Sequence, residues 1–165
     1  MSPTEKLPGR ELSDTEFQRL LEFRDGLRRF LRWSEEQAQR AGVTPAQHQL
    51  LLAVRGHGSP PSVSDLAAHL LHRHHSTVEL VDRATRVGLV RRVDDSSDHR
   101  VVRIALTNEG ERRLNALATA HLEELSRIGP RFAALWSQLP DGDETPIPNP
   151  PGMSPADHGS PGSHG

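Results

Sequence analysis

The stretch DDSSDHRVVRIALTNEG, residues 94–110, decides the fold because it joins three kinds of local structure. It begins with acids and turn-forming residues, continues as a short alternating apolar run, and ends near Thr107, a residue type that favours a helix N-cap. Together with the preceding run LVRRV, it predicts a two-stranded hairpin of strands 89–93 and 101–106. The hairpin has a charged tip, and a helix begins directly behind it.

Four helices are predicted before the hairpin, and each has a recognisable start. An S-x-x-E capping box lies at 13–16, and Thr-Pro at 44–45 places a capping residue before a proline, which is favoured in a first helical turn. Ser62 starts a short third helix, and the polar break HRHH at 72–75 separates it from the fourth. The predicted ranges are 13–41, 44–55, 62–70 and about 75–87.

The chain after the hairpin is predicted to be helical and then to lose order. Thr107 caps a long helix, Gly129-Pro130 is expected to break it, and a short last helix ends at Leu139. A tail rich in Pro, Gly and acids, residues 140–165, is predicted to be disordered, and residues 1–12 form a flexible N-terminus. The predicted fold is mainly α with a small β-hairpin wing. A winged helix-turn-helix core, 44–106, lies between long terminal helices, 13–41 and 107–139, in one domain, 13–139.

Composition excludes several classes of protein. No apolar stretch approaches the roughly 18 residues that a membrane span needs, so no membrane partner is expected. The N-terminal residues show no signal-peptide pattern, which predicts a cytoplasmic protein. The absence of cysteine excludes disulfides, thiolate metal sites and thiol-based sensing. Since no nucleophile or phosphate-loop motif is present, we expect neither an enzyme nor a cofactor.

The charge is unevenly distributed along the chain. The formal net charge of −2 argues at first against a nucleic-acid binder. However, the tail 140–165 carries four acids and no Lys or Arg, so residues 1–139 have a net charge of about +2. Any affinity for DNA must therefore come from where the basic residues lie.

The third and fourth predicted helices have the arrangement of a helix-turn-helix, whose second helix can lie in the major groove of DNA. The N-terminus of that helix favours phosphate, and its outer face can present Arg to guanine and Glu to cytosine. The candidates for phosphate contacts are Arg73, His74, His75 and Ser76, and those for base contacts are Glu79, Arg83 and Arg86.

The hairpin supplies a second group of candidates. Arg100 is placed to enter a narrow minor groove, where the negative potential is enhanced, and Asp98 can orient its guanidinium. Arg92 lies on the same hairpin and joins the DNA-binding candidates. Because acids facing DNA would repel phosphates, the neighbouring Asp94 and Asp95 are expected to point away or to pair with arginines, namely Arg91, Arg92 or Arg103.

These residues resemble the MarR (multiple antibiotic resistance regulator) family of dimeric bacterial repressors. The resemblance rests on Asp98-x-Arg100, Leu106-Thr107 and Gly110, preceded by Leu66-Ala67, Val81-Asp82-Arg83 and Gly88-Leu89-Val90, and it covers about residues 13–139. It implies a ligand-responsive repressor that dimerises through its terminal helices. Such a dimer binds a pseudo-palindromic double-stranded operator and releases it when a small-molecule effector binds.

The aromatic residues independently favour a homodimer. All six lie in the two terminal helices and none lies between residues 44 and 110; they are Phe17, Phe23, Phe30, Trp33, Phe132 and Trp136. Aromatic residues are enriched in the buried centres of interfaces, although packing in the core of a monomer is the alternative.

The resemblance also implies an effector pocket near the dimer seam, between the first, second and fifth helices. Phe23, Arg24 and His48 are the candidate lining residues, and ordinary interface packing is the alternative for all three. The absence of cysteine excludes a thiol sensor, and the resemblance then implies an anionic or phenolic small molecule as the effector.

Two other functions stay open at this point. A metal-responsive regulator is suggested by a group of histidines, His72, His74 and His75, with His69 one turn earlier. However, the adjacent residues His74 and His75 do not share a helix face. DNA contact is therefore favoured for these residues, and no metal site is assigned. The near-neutral charge and the acids of the hairpin tip also allow a winged-helix protein–protein adaptor without DNA binding.

Overall fold

The computed structural model of the protein describes residues 11–98 and 100–137. Their order is four helices, a two-stranded hairpin and a fifth helix, which confirms the predicted fold class. The elements are α1 (Asp14–Arg40), α2 (Pro45–Gly56), α3 (Val63–Leu70), α4 (His74–Arg86), β1 (Val90–Asp94), β2 (Val102–Leu106) and α5 (Asn108–Trp136). The predicted tail 140–165, most of the predicted N-terminal segment and the predicted helix end at Leu139 lie outside the described residues.

Among the described residues, one compact unit consists of 11–45 and 116–137, and therefore holds α1 and the C-terminal part of α5. The predicted capping box of α1 is confirmed, since the Ser13 hydroxyl accepts from the Glu16 N–H and a Glu16 carboxylate oxygen accepts from the Ser13 N–H at 2.8 Å. The ring of Phe23 packs edge-on against Phe132 with centroids 5.5 Å apart. Aromatic contacts between the two helices thus hold this unit together.

The break predicted at Gly129-Pro130 is wrong, because α5 continues through Pro130 to Trp136. A proline inside a helix removes one backbone hydrogen bond and crowds the preceding turn, a cost of about 3 kcal/mol. The ring of Phe132, two residues later, lies against Phe23 and reaches 2.8 Å from the position that a Cβ on Gly26 would take. This packing of Phe132 favours a continuous helix and opposes the local cost of the proline.

Residues 46–115, with the exception of the undescribed residue 99, form a second unit around one apolar core. α3 packs on α4, α4 packs on β1, and the two strands pair antiparallel from Val90 opposite Leu106 to Asp94 opposite Val102. The residues that are at most 2% exposed include Leu50, Leu51, Leu66, Leu80, Val81, Leu89, Val90 and Ile104. This core fixes the helix-turn-helix and the hairpin relative to each other.

The start of α5 is held against Leu89, the residue that precedes β1. Thr107 is the N-cap, as predicted: its hydroxyl accepts from the Gly110 N–H at 3.0 Å, and its own N–H donates to the Leu89 carbonyl at 3.1 Å. Gly110 is buried, and a Cβ there would lie 2.0 Å from the Leu89 carbonyl oxygen. Only a glycine lets the helix approach the Leu89 backbone so closely.

Within the described ranges, none of the helices has the length and apolar character needed to cross a membrane.

Candidate nucleic-acid interface

The turn between α3 and α4 is tight and partly strained. α3 begins after Ser62, as predicted, with a capping box between Ser62 and Asp65, and its C-cap is Leu71, which has a left-handed backbone with φ 53°. Arg73 is the N-cap of α4 and makes no side-chain capping hydrogen bond, and the first turn contains no acid. The N–H groups at the start of α4 are therefore not covered by a capping side chain, which suits an anionic partner.

α4 presents its two faces as the sequence predicted. Thr77, Leu80, Val81 and Ala84 are buried against the core of the second unit. The predicted DNA-contacting residues are on the outside: Arg73, His74, His75, Glu79, Arg83 and Arg86 are exposed, and Ser76 is half-buried. Arg83 lies 3.9 Å from Glu79, one turn earlier, while no ion pair of Arg73 or Arg86 is found in the described parts of the chain. The outer face of α4 thus carries cations that are available for a partner.

The described residues of the loop between the strands, 95–98 and 100–101, have a side-chain framework of their own. Asp95 Oδ1 accepts from the Ser97 N–H at 2.7 Å and from the Asp98 N–H at 3.1 Å. Asp98 in turn accepts from both the N–H and the Nε of Arg100, at 3.0 and 3.1 Å, so the predicted pairing of these two residues is confirmed. The Arg100 side chain is 92% exposed and projects from the hairpin tip.

Arg92 and Arg103 anchor the hairpin to the helices of the second unit. Arg92 Nη2 lies 2.7 Å from Asp82 Oδ1 on α4, so this predicted DNA-binding residue also connects the strand to that helix. Arg103 Nε donates to Asp95 at 2.6 Å, which confirms one of the pairings expected for the tip acids. Asp65, whose role was not predicted from the sequence, places its carboxylate 3.5 Å from Arg103 Nη1. Its only signal in the sequence was its place in a capping box.

The acids of this region are stabilised in their charged forms. The Ser97 hydroxyl and N–H, followed by the Arg103 guanidinium, hold the pKa of Asp95 below its ordinary value, and the Arg100 guanidinium and N–H lower the pKa of Asp98. Burial raises the pKa of Asp65, but hydrogen bonds from Ser62 outweigh it and leave that pKa lowered. Asp95 and Asp98 are therefore engaged by their neighbours, which reduces the repulsion of a phosphate backbone.

The histidines do not form a metal cluster in the described parts of the chain. No group of three or more His, Asp or Glu side chains comes together there in a way that can hold a metal ion. The ring of His69 lies 5.5 Å from that of His57 in the loop after α2, and His57 Nδ1 contacts the Ser59 carbonyl oxygen at 3.0 Å. This arrangement does not favour the metal-responsive alternative.

The predicted effector residues lie in different environments. Phe23 is half-buried and Arg24 exposed in α1, whereas His48 is buried in α2 with 8% exposure. Their role stays a prediction.

The first unit contains a cavity of about 400 Å³ between α1 and α5. Phe30, Trp33 and Phe132 line it together with Arg29, for which no ion pair or hydrogen bond is found in the described parts of the chain. Aromatic rings beside an available guanidinium suit a flat organic anion.

Known proteins are similar to parts of this chain in sequence and to most of it in fold. Residues 41–101 match the sequence model of the MarR family. The chain is 33% identical over 76 residues to the HTH-type transcriptional repressor MdtR of Bacillus subtilis (strain 168), an alignment that covers 46% of this chain and 48% of MdtR. The chain thus spans about half the length of the curated relatives it matches.

Two solved structures show the similarity of the fold. The crystal structure of AbsC, a MarR family transcriptional regulator from Streptomyces coelicolor, superimposes with a TM-score of 0.60 at 25% identity, covering 72% of this chain and 81% of AbsC. That of CouR from Rhodococcus jostii RHA1, bound to p-coumaroyl-CoA, gives a TM-score of 0.57 at 25% identity and covers 70% and 78%. The helix-turn-helix, the D-x-R hairpin and the Leu-Thr helix start lie in the part of the chain that is similar to MarR family winged helix-turn-helix regulators in sequence, over residues 41–101, and in fold.

Proposed function

We propose that this protein is a DNA-binding transcription regulator, a ligand-responsive dimeric repressor that binds a pseudo-palindromic operator through α4 and the hairpin. Two observations together carry the proposal: the outer face of α4 is exposed and cationic, and an exposed Arg100 side chain projects from the hairpin that is fixed beside this helix. This is the arrangement with which winged helices contact the major groove and the neighbouring minor groove together.

The charges of the second unit support a local rather than a bulk attraction to DNA. Arg73 and Arg86 lie towards opposite ends of α4, and the acids of the hairpin tip are hydrogen-bonded to their own loop. Each phosphate contact made by such a cation releases counterions, so binding has to weaken as the salt concentration rises. Glu79 and Arg83, which lie between the two arginines, are candidates for base contacts together with Arg86 itself.

The test is binding to the chain's own promoter region at several salt concentrations, with the Arg100→Ala variant beside the native protein. We expect specific binding that the substitution weakens about tenfold or more, because a minor-groove arginine is lost. Arg91→Ala is the matched control: Arg91 alternates with Arg92 along β1, so it points to the sheet face opposite the one that contacts α4. Binding no tighter than to unrelated DNA would instead favour the protein–protein adaptor.

Dimerisation is supported by the apolar surface of the first unit. α1 buries only Ala38 fully, while Phe17, Leu21 and Leu31 are each 57–58% exposed and Leu122 of α5 is 66% exposed. Large apolar residues concentrated on exposed helices mark an interface. We expect a dimer at micromolar concentration in sedimentation velocity and a predominantly monomeric Leu21→Glu variant; a native monomer at that concentration would contradict the proposal.

A small-molecule effector is supported by the aromatic cavity beside Arg29 and by the aromatic acyl-CoA bound to CouR. The probe is p-coumarate, a flat aromatic carboxylate, and the readout is tryptophan fluorescence together with release of operator DNA. We expect saturable quenching that Arg29→Ala weakens and Arg28→Ala leaves unchanged, since Arg28 already pairs with Asp25 at 3.2 Å. Quenching that never saturates would count against an effector of this class at this cavity.

A further inference from the structure

Arg103, in the second strand of the hairpin, contacts two carboxylates that come from different parts of the second unit. Its Nε donates to Asp95 Oδ2 at 2.6 Å, and its Nη1 lies 3.5 Å from Asp65 Oδ2. Asp95 begins the loop of the hairpin, whereas Asp65 lies in the first turn of α3. The guanidinium therefore connects the hairpin loop to the first helix of the helix-turn-helix.

Both carboxylates are held on their other sides. Asp65 Oδ2 accepts from the N–H and the hydroxyl of Ser62, at 2.8 and 2.7 Å, and Ser62 forms a β-bridge with Arg103 itself. Asp95 Oδ1 accepts from the Ser97 hydroxyl at 2.6 Å as well as from the N–H groups of the loop. The guanidinium is planar and donates in fixed directions. Because both carboxylates are already held in place, the Arg103 side chain can contact them in few orientations, so the contact is geometrically specific.

The same framework continues to the hairpin tip. The Asp98 N–H donates to Asp95, and the Asp98 carboxylate holds the guanidinium of Arg100. A continuous path of hydrogen bonds and ion pairs thus leads from the N-terminus of α3 through Arg103 to Arg100. Arg103 is 31% exposed and Asp95 10% exposed, while Arg100 is 92% exposed, so only the last of the three is well placed to reach a partner.

We propose that Arg103 is a positioning residue that fixes the orientation of the hairpin loop, and through it Arg100, relative to α3. The proposal rests on the proposed DNA-binding function, in which Arg100 contacts the duplex. Arg103 then contributes to affinity without touching DNA, because a loop that is ordered before binding loses less conformational entropy when it binds.

The first experiment measures hydrogen exchange of the hairpin amides in the free, full-length protein. Two variants remove the Arg103–Asp95 contact: Arg103→Gln, and Asp95→Asn, whose remaining oxygen can still accept from Ser97 and Asp98. We expect the amides of Ser97, Asp98 and Arg100 to exchange about fivefold faster or more in both variants, with the amides of α4 unchanged.

Arg91→Gln is the control for the exchange measurement, since it removes the same charge from the same hairpin without touching this framework. An Arg103→Gln chain that fails to fold leaves Asp95→Asn to decide the matter. Unchanged exchange in Asp95→Asn would overturn the proposal.

The second experiment is a double-mutant cycle on operator affinity. Its result distinguishes a role of Arg103 in positioning Arg100 from a merely structural role. We expect Arg103→Gln to weaken binding about tenfold in the native background but to have little further effect in the Arg100→Ala background, because the two residues then act through one contact. Equal losses in both backgrounds would mean that Arg103 acts independently of Arg100 and would refute the proposal. If the native protein shows no specific binding, the proposed function fails, while hydrogen exchange still decides the role of Arg103.

Discussion

Gly110 lies in the first turn of α5, where the structure predicts an unusual response to Gly110→Ala. In an unobstructed helix, alanine is favoured over glycine by about 1 kcal/mol. Here the added Cβ would lie 2.0 Å from the Leu89 carbonyl oxygen and 3.0 Å from the Leu89 carbonyl carbon. Both atoms are backbone, and the same oxygen accepts from the Thr107 N–H at 3.1 Å, so rotation of a side chain cannot relieve the clash.

Relief requires the start of α5 to move away from β1 and to weaken the Thr107 cap. Overpacking by a single methyl group costs about 1–3 kcal/mol, and a backbone clash places this case at the upper end, so we expect a loss of about 3 kcal/mol in the free energy of unfolding. Urea denaturation followed by far-UV circular dichroism, at one fixed protein concentration, measures this loss. With a denaturant slope of about 2 kcal/mol/M, the midpoint falls by about 1.5 M.

Gly56→Ala is the matched control for this prediction. Gly56 is the last residue of α2, and a Cβ there would have no heavy atom within 4 Å. The control should be stabilised by about 0.4–1 kcal/mol, because alanine restricts the unfolded chain at no cost in the folded state. A Gly110→Ala protein as stable as this control would refute the close approach of α5 to β1.

Three further predictions concern stability. Leu71→Gly should raise the free energy of unfolding by about 0.5–1 kcal/mol, because Leu71 has φ 53° and is 81% exposed, so relief of strain exceeds the loss of burial; a lower midpoint in urea denaturation would contradict this. Arg112 and Arg113 lower the pKa of Glu109 to about 2 from its ordinary 4.5, so its stabilising contribution is present above pH 4.5 and is lost as the pH falls towards 2; thermal denaturation of Glu109→Gln should lack this part of the acid dependence, and an identical pH profile would speak against the pairing. Arg92→Gln should change the unfolding free energy by less than about 1 kcal/mol, since the Arg92 pair is half-exposed; urea denaturation with a larger loss would show that the pair is more than a surface contact.

Local signals predicted most of the architecture. The capping residues Ser13, Ser62 and Thr107 each begin the expected helix, and both strands lie within one residue of their predicted starts and ends. The outer and inner faces of α4 also follow from the 3.6-residue period of its apolar residues. These features could be read from the sequence because the chemistry that produces them acts between residues within one or two turns of each other.

The helix break at Pro130 shows where this reasoning fails. The proline was correctly recognised as unfavourable for a helix, but its cost competes with the contact between Phe132 and Phe23, which are more than a hundred residues apart. Both aromatic residues are present in the sequence, but their contact could not be predicted from it. Long-range packing therefore decided a question that the local rule answered wrongly.

In the candidate interface, too, some features were predicted from the sequence and others depend on the tertiary structure. The sequence by itself determined which element carries each cation, and the D-x-R spacing predicted that Asp98 orients Arg100. Only the tertiary structure decided that Arg103 bridges Asp95 and Asp65, because a side chain distant in sequence becomes a partner only after β2 has docked beside α3. Helix caps and faces depend on neighbours along the chain, whereas the orientation of the hairpin depends on contacts that exist only once the core has formed.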